Sequence, residues 1–166
     1  PRTTVPSIVF YNLHNCAAVH FIEADNSSYL CSDRKDSTYI YMKNIAETYW
    51  KRKKMPIPHL LLSDYEGRNV WSHKGIVHWR GMNICMVTDG YWRNKSATNL
   101  LDIDYMYLCK GYKGEIAPLQ KLFHIKRIVL DASLGDYKSK AYKEECKTLG
   151  LDYIDISEKG SFRILL

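Results

Sequence analysis

The sequence predicts an α/β layered domain, and three observations predict it. An opening stretch carries short apolar runs separated by polar turns. A central stretch, Leu101 to Tyr137, sets two apolar runs on either side of a basic glycine loop and an amphipathic segment. A closing stretch holds a helix and then further β-rich runs. The central arrangement is the signature of a strand, crossover helix and parallel strand.

In order along the chain, Pro1 to Pro6 reads as a linker, and residues 7–166 as a single domain. Ser7 to Leu13 and Ala17 to Ala24 read as strands around a turn at His14-Asn15. In the second strand Val19 and Phe21 alternate with His20 and Ile22, so both faces are expected to be at least partly covered. Asn26-Ser27 turns the chain into a third strand over Ser28 to Cys31, and Thr38 to Met42 offers a fourth. Asn44 with Glu47 resembles a capping box, opening a helix that Lys51-Arg52-Lys53-Lys54 closes before Pro56 and Pro58 bar its continuation. His59 to Ser63 reads as a short buried strand, followed by an acidic turn, Asp64-Tyr65-Glu66-Gly67. Gly75 to Arg80 and Met82 to Thr88 form a hairpin around Gly81, then a polar loop runs from Asp89 to Asn99.

The apolar run Ile103 to Cys109 meets the loop Lys110-Gly111-Tyr112-Lys113-Gly114, and the second run spans Ile128 to Ala132. Ser139 to Leu149 is expected to be a helix with Tyr142, Cys146 and Leu149 on one face and Gly150 at its C′ position. Asp152 to Ile156 and Ser161 to Leu166 are the last strands, joined through Lys159-Gly160.

A net charge of +6 tilts the chain towards anionic partners, without the charge density of a protein that coats DNA. The five cysteines, Cys16, Cys31, Cys85, Cys109 and Cys146, are scattered singly, which argues against a disulfide framework or a zinc ribbon. No apolar run reaches 18 residues, so no stretch here spans a membrane as a helix. There is no G-x-S-x-G elbow, and the glycine loop lacks the Walker pattern.

Several short strings, in order, resemble the C-terminal domain of the DNA-internalisation competence protein family (ComEC). Asn15-Cys16-Ala17-Ala18-Val19 and Tyr29-Leu30-Cys31-Ser32-Asp33 resemble that domain's opening strands, and Leu60-Leu61-Leu62-Ser63 the strand entering its metal-binding S-H-x-x-x-D-H loop. Val87-Thr88-Asp89 resembles its T-G-D strand end. Leu108 to Gly114 stands where V-G-H-H-G-S would be, and Val129 to Ser133 resembles the strand before N-x-x-G-H-P. The resemblance covers nearly the whole chain and implies a shortened metallo-β-lactamase-like layered sandwich (αββα). It also implies that the full-length protein carries transmembrane helices in a bacterial inner membrane, forming the channel for a DNA strand.

The departures from that pattern bear on function. Catalytic relatives hold two metals with histidine and aspartate ligands that activate water and clamp oxygens. Here Ser63 to Gly67 contains no histidine, and Lys110 and Lys113 stand where histidine would coordinate; a protonated lysine has no lone pair to give. Asp64, Glu66, Asp89, Lys110 and Lys113 are therefore vestigial active-site positions, with no catalytic residue, metal or cofactor expected. Of the histidines His14, His20, His59, His73, His78 and His124, none forms an HxH, HxxxH or HxxxDH set, and surface or satisfied half-buried roles are expected.

Lys110 and Lys113 would supply fixed positive charge to an anion, or else merely solvate a turn that uses Gly111 and Gly114 for backbone freedom. Lys51, Arg52 and Lys54 beside Tyr49 and Trp50 could bind nucleic-acid phosphate, or close a solvated helix end. The expected role is a non-catalytic scaffold or DNA-guiding surface. Its partners would be the transmembrane portion of the same protein and a single- or double-stranded DNA backbone. The alternative is a residual metal-dependent nuclease acting on the discarded strand.

Overall fold

In a computed structural model describing residues 5–13, 15–33, 56–61 and 64–166, the opening stretch forms an antiparallel meander. It consists of β1 (Ser7–Phe10), β2 (Ala18–Ile22) and β3 (Ser28–Ser32). Asn15 and Asn26 take positive φ in the two connections, a conformation that asparagine tolerates better than most side chains. Beyond β3 lies the two-residue β4 (His59–Leu60), parallel to it. Of the buried strand expected over His59 to Ser63, His59 and Leu60 form β4, with His59 exposed and Leu61 beyond it buried, while Leu62 and Ser63 lie outside the described residues. The strand expected at Thr38 to Met42, the helix from Asn44 to Lys54, and His14 lie outside the described residues.

A second sheet begins in place of the expected acidic turn. Tyr65 and Glu66 form β5, an edge strand paired with β6 (Val70–His73). β6 has no counterpart among the sequence-based expectations, although Val70 and Ser72 are buried while Trp71 points outward, a period-2 pattern. Then come β7 (Ile76–Trp79) and β8 (Met82–Val87), the expected hairpin. The β6–β7 and β7–β8 turns each have two central residues with positive φ, Lys74-Gly75 and Arg80-Gly81. That is the type I′ geometry, whose twist matches that of the flanking strands.

The central stretch is a strand–crossover–parallel strand unit with a different interior. The run Ile103 to Cys109 is broken at Asp104 into β9 (Leu101–Ile103) and β10 (Tyr105–Leu108). The crossover is not an α-helix. It is a five-residue 3₁₀ turn, Ala117–Lys121, followed by β11 (Phe123–Ile125), which pairs in parallel with β9. Pro118 lies in the first turn, where its missing N–H costs no helical hydrogen bond, and the chain ends the turn at Leu122 to run extended from Phe123. β12 (Arg127–Leu130) lies parallel to β10, and α1 (Asp136–Leu149) leads to β13 (Asp152–Asp155), parallel to β12. Gly150 is left-handed at φ 69° and closes α1 as expected, with its N–H on the Cys146 and Lys147 carbonyls.

The last two strands do not pair with one another. A single turn, α2 (Ile156–Lys159), carries the chain across to the first sheet, where β14 (Phe162–Leu165) pairs antiparallel with β1. The two main sheets are therefore β14-β1-β2-β3-β4 and β13-β12-β10-β8-β7-β6-β5.

The sheets face each other across one buried cluster, with Ile8, Phe10, Val19 and Phe21 meeting Val77, Trp79, Ile84 and Tyr107. Phe10 sets its edge on Tyr107 with ring centroids 4.9 Å apart, and Phe21 does the same to Trp79 at 5.6 Å. The far face of the second sheet packs Met106, Leu108, Ile128 and Leu130 against Tyr142 and Cys146 of α1 and Leu119 of the 3₁₀ turn. The fold is thus mixed α/β, with two sheets stacked face to face and a helical layer on one of them. Both faces of β2 are buried, as its sequence suggests.

Candidate functional site

Four parallel strands in the second sheet, β8, β10, β12 and β13, place their carboxyl ends in one row, because Val87, Leu108, Leu130 and Asp155 are register neighbours. Ligands in open α/β sheets bind along such an edge. The residues that follow these strands are Thr88-Asp89, Cys109-Lys110 and Asp131, so the sequence-predicted positions Asp89 and Lys110 do fall on it.

The carboxylates of this row are committed to the local backbone. Asp89 accepts from the Tyr91 N–H at 2.9 Å. Asp131, 2% exposed, accepts from the Ser133 N–H and hydroxyl and from the Tyr107 hydroxyl. Burial pushes the Asp131 carboxyl up, with these donors opposing the shift. The Tyr107 hydroxyl, buried against Asp131, is raised well above its ordinary value. Asp155 caps Ser157 and pairs with Lys143 at 2.7 Å. Burial alone would raise Asp155, but the bonds from Lys143 and Ser157 outweigh it and leave it lowered. Asx-type capping of this kind satisfies the first amides of a turn and leaves those lone pairs engaged.

Beside Asp89 lies a cleft of about 490 Å³. It draws Asp64 from the segment before β5, His73 from the end of β6, Lys74 from the β6–β7 turn, and Asp89, Tyr91 and Trp92 from the loop after β8. Asp64 and Asp89 thus share one cleft. Glu66 is not among the residues that line it; it lies exposed on β5. The Asp64 carboxylate pairs with His73 Nδ1 at 2.7 Å and accepts the Lys74 N–H at 3.2 Å. That amide, then the histidine, lower the Asp64 carboxyl. His73 is the residue that sequence reasoning passes over. It matches no metal-binding string, and recognising β6 as a strand is the signal that could have placed it at the cleft.

The loop after β10 is braced rather than open. A Cβ on Gly111 would lie 1.9 Å from the Thr88 carbonyl oxygen, so only glycine lets the loop seat against the end of β8. Lys138 of α1 donates to the carbonyls of Lys113 and Gly114, and the Tyr142 hydroxyl to Gly114 at 2.7 Å. Lys110 is exposed, whereas the Lys113 ammonium reaches back to the Lys110 carbonyl at 3.3 Å. The amides of Ile116 and Ala117, opening the 3₁₀ turn, are both taken by the Glu145 carboxylate at 2.7 and 2.9 Å. An anion would have to displace Glu145 to use them. Lys51, Arg52 and Lys54 lie outside the described residues.

These residues do not fit a dinuclear metal centre. Among the described residues, no three His, Cys, Asp or Glu side chains group so as to hold a metal ion. Asp64 and His73 pair with each other, and Asp89 turns a carboxylate oxygen to its own loop. All five cysteines are free and buried, and burial pushes the Cys31 and Cys85 thiols up to about 12. They are not poised as thiolates.

Among the described residues, no helix is long and apolar enough to cross a membrane. No curated protein and no solved structure matches the chain. A family model described as the ComEC C-terminal domain matches residues 8–166. The chain therefore belongs to the family of C-terminal domains from ComEC competence proteins, which serve DNA uptake.

Proposed function

We propose that this domain is a non-catalytic, metallo-β-lactamase-like sandwich attached to the membrane channel of a DNA-uptake protein, and that it offers incoming DNA a guiding surface. The observation that carries this reading is the loop Lys110 to Gly114. It is seated by Gly111 against the end of β8, beside the carboxyl ends of the parallel strands, and both its lysines are exposed, which supports a loop whose fixed charge has replaced metal ligands. Fixed cations at that edge attract phosphates and repel divalent metals. The two stacked sheets with α1 over the second are consistent with the layered sandwich.

Charge reversal at both lysines, Lys110→Glu with Lys113→Glu, tests the guiding role. DNA affinity should fall several-fold, and its dependence on salt should flatten. Unchanged affinity and an unchanged slope would leave only an architectural role against the membrane portion.

One observation favours a residual nuclease as the second reading: Asp64, His73 and Asp89 share a single cleft. Elemental analysis, with a nuclease assay in manganese or zinc, separates the two. Bound metal together with metal-dependent cutting that Asp64→Asn abolishes would establish the hydrolase.

A further inference from the structure

Two residues that line the cleft, Lys74 and Tyr91, take part with Lys95 in an arrangement that the Lys110 loop does not explain. Tyr91, 38% exposed, has two ammonium groups over its ring, Lys74 Nζ at 5.1 Å and Lys95 Nζ at 4.4 Å from the centroid. Lys95 is further tied down by donating to the Tyr91 carbonyl at 2.6 Å. Among the described residues neither lysine forms an ion pair, whereas Lys126 and Lys143 each hold a carboxylate. A tyrosine face attracts a cation without neutralising it. Both charges thus lie against one ring, and the Lys74 charge also acts on the Asp64 carboxyl in the cleft wall.

Lys74 is also an unexpected residue for its place. It sits at φ 48° in the first central position of the β6–β7 turn, where asparagine, aspartate or glycine is favoured. Gly75 follows at φ 84°, with the Met86 carbonyl 2.4 Å from where its Cβ would be. Only glycine fits the second position, and a side chain held at the first in a sparsely populated backbone region points towards function.

We propose that Lys74, Tyr91 and Lys95 form a phosphate clamp for single-stranded DNA, with a nucleobase entering the cleft behind it. This rests on the DNA-guiding role and names the strand and the side chains it would use. A cleft of about 490 Å³ is of the size that takes a small organic ligand, so it admits a nucleotide unit and not a duplex. Asp64 and Asp89 in the cleft wall repel phosphate, which keeps the phosphate at the mouth. A neutral base is the part of a nucleotide that such a wall accepts, because carboxylates receive its amino N–H donors. Trp92, which meets Tyr91 edge to face at 4.7 Å and lines the cleft, adds aromatic surface for an unpaired base.

The test is fluorescence anisotropy of the 166-residue chain with a labelled single-stranded oligonucleotide, the matching duplex, and phosphatidylserine vesicles. The single strand should bind more tightly than the duplex. Lys74→Asn with Lys95→Gln should weaken it about tenfold and flatten the salt slope by roughly 0.7 for each phosphate no longer neutralised. Lys74→Asn relaxes the turn, so a melting temperature held or raised alongside weakened binding separates the clamp from a folding defect. If the Lys110/Lys113 reversal abolishes binding while the Lys74/Lys95 pair leaves it intact, the clamp is overturned and the guiding role stands. If the unsubstituted chain binds neither oligonucleotide, both fall. Preference for vesicles over the single strand assigns the lysines to a lipid surface and overturns the nucleic-acid clamp.

Discussion

His20 shows how much a single side chain can be asked to do in this core. It is fully buried on β2, its Nδ1 shares a 2.7 Å hydrogen bond with the Tyr11 hydroxyl, and burial holds its pKa down to about 3. The unfolded chain takes up this proton near 6.5 and the folded one only near 3. Stability from His20 is therefore complete above pH 6.5 and lost as the pH falls through that window, at about 1.4 kcal/mol per pH unit. Denaturant titrations of the chain and of His20→Gln should show that slope in the former and its loss in the latter. Lys74 carries the opposite kind of burden, a backbone conformation that costs about 1 kcal/mol or more for a side chain other than asparagine, aspartate or glycine. Lys74→Asn should accordingly raise the unfolding free energy by up to about 1 kcal/mol in the same titrations.

The glycine loop illustrates how elements meet. Gly111 has no positive φ to defend; its demand is purely for space against Thr88. Gly111→Ala should cost about 2 kcal/mol or more, because the clash is with backbone and no rotamer relieves it. Thermal unfolding would show it, and a neutral result would mean that the loop and β8 can part. Much at this scale is legible in sequence. The β7–β8 hairpin, the parallel pair β10 and β12, and the α1 face of Tyr142 and Cys146 each announce themselves by period and by flanking glycine. β5 and β6 do not, because Asp64 to Gly67 carries turn-forming residues, and only pairing with Ser72 and Trp71 makes Tyr65 and Glu66 extended. The crossover misleads for a related reason. Its amphipathic pattern is real, but Glu145 satisfies its first amides and pairing of β11 with β9 draws the chain straight from Phe123, so five residues of 3₁₀ turn suffice. Asp64 and Asp89 can be named from residue type; their shared cleft with His73 cannot, since it depends on where β6 ends.

At the scale of the molecule, the two sheets are joined by more than apolar packing. Glu23, just beyond β2, accepts the Trp79 indole N–H and the Arg80 Nε of the second sheet. Trp79→Phe keeps most of the buried surface but withdraws that donor from a buried carboxylate. A loss of about 2 kcal/mol is expected by chemical denaturation, and a loss below about 0.5 kcal/mol would show that Glu23 does not fasten the layers. The first sheet is closed in another way, by β14 lying against β1 with Ser7 opposite Leu165. Partners that distant in sequence give the domain a high contact order, so its folding should be slow and should finish at this edge. On the ribosome, β1 must wait with an unpaired edge until Phe162 to Leu165 have been made. During that interval the nascent domain is most exposed to misassembly, and to any chaperone that guards against it.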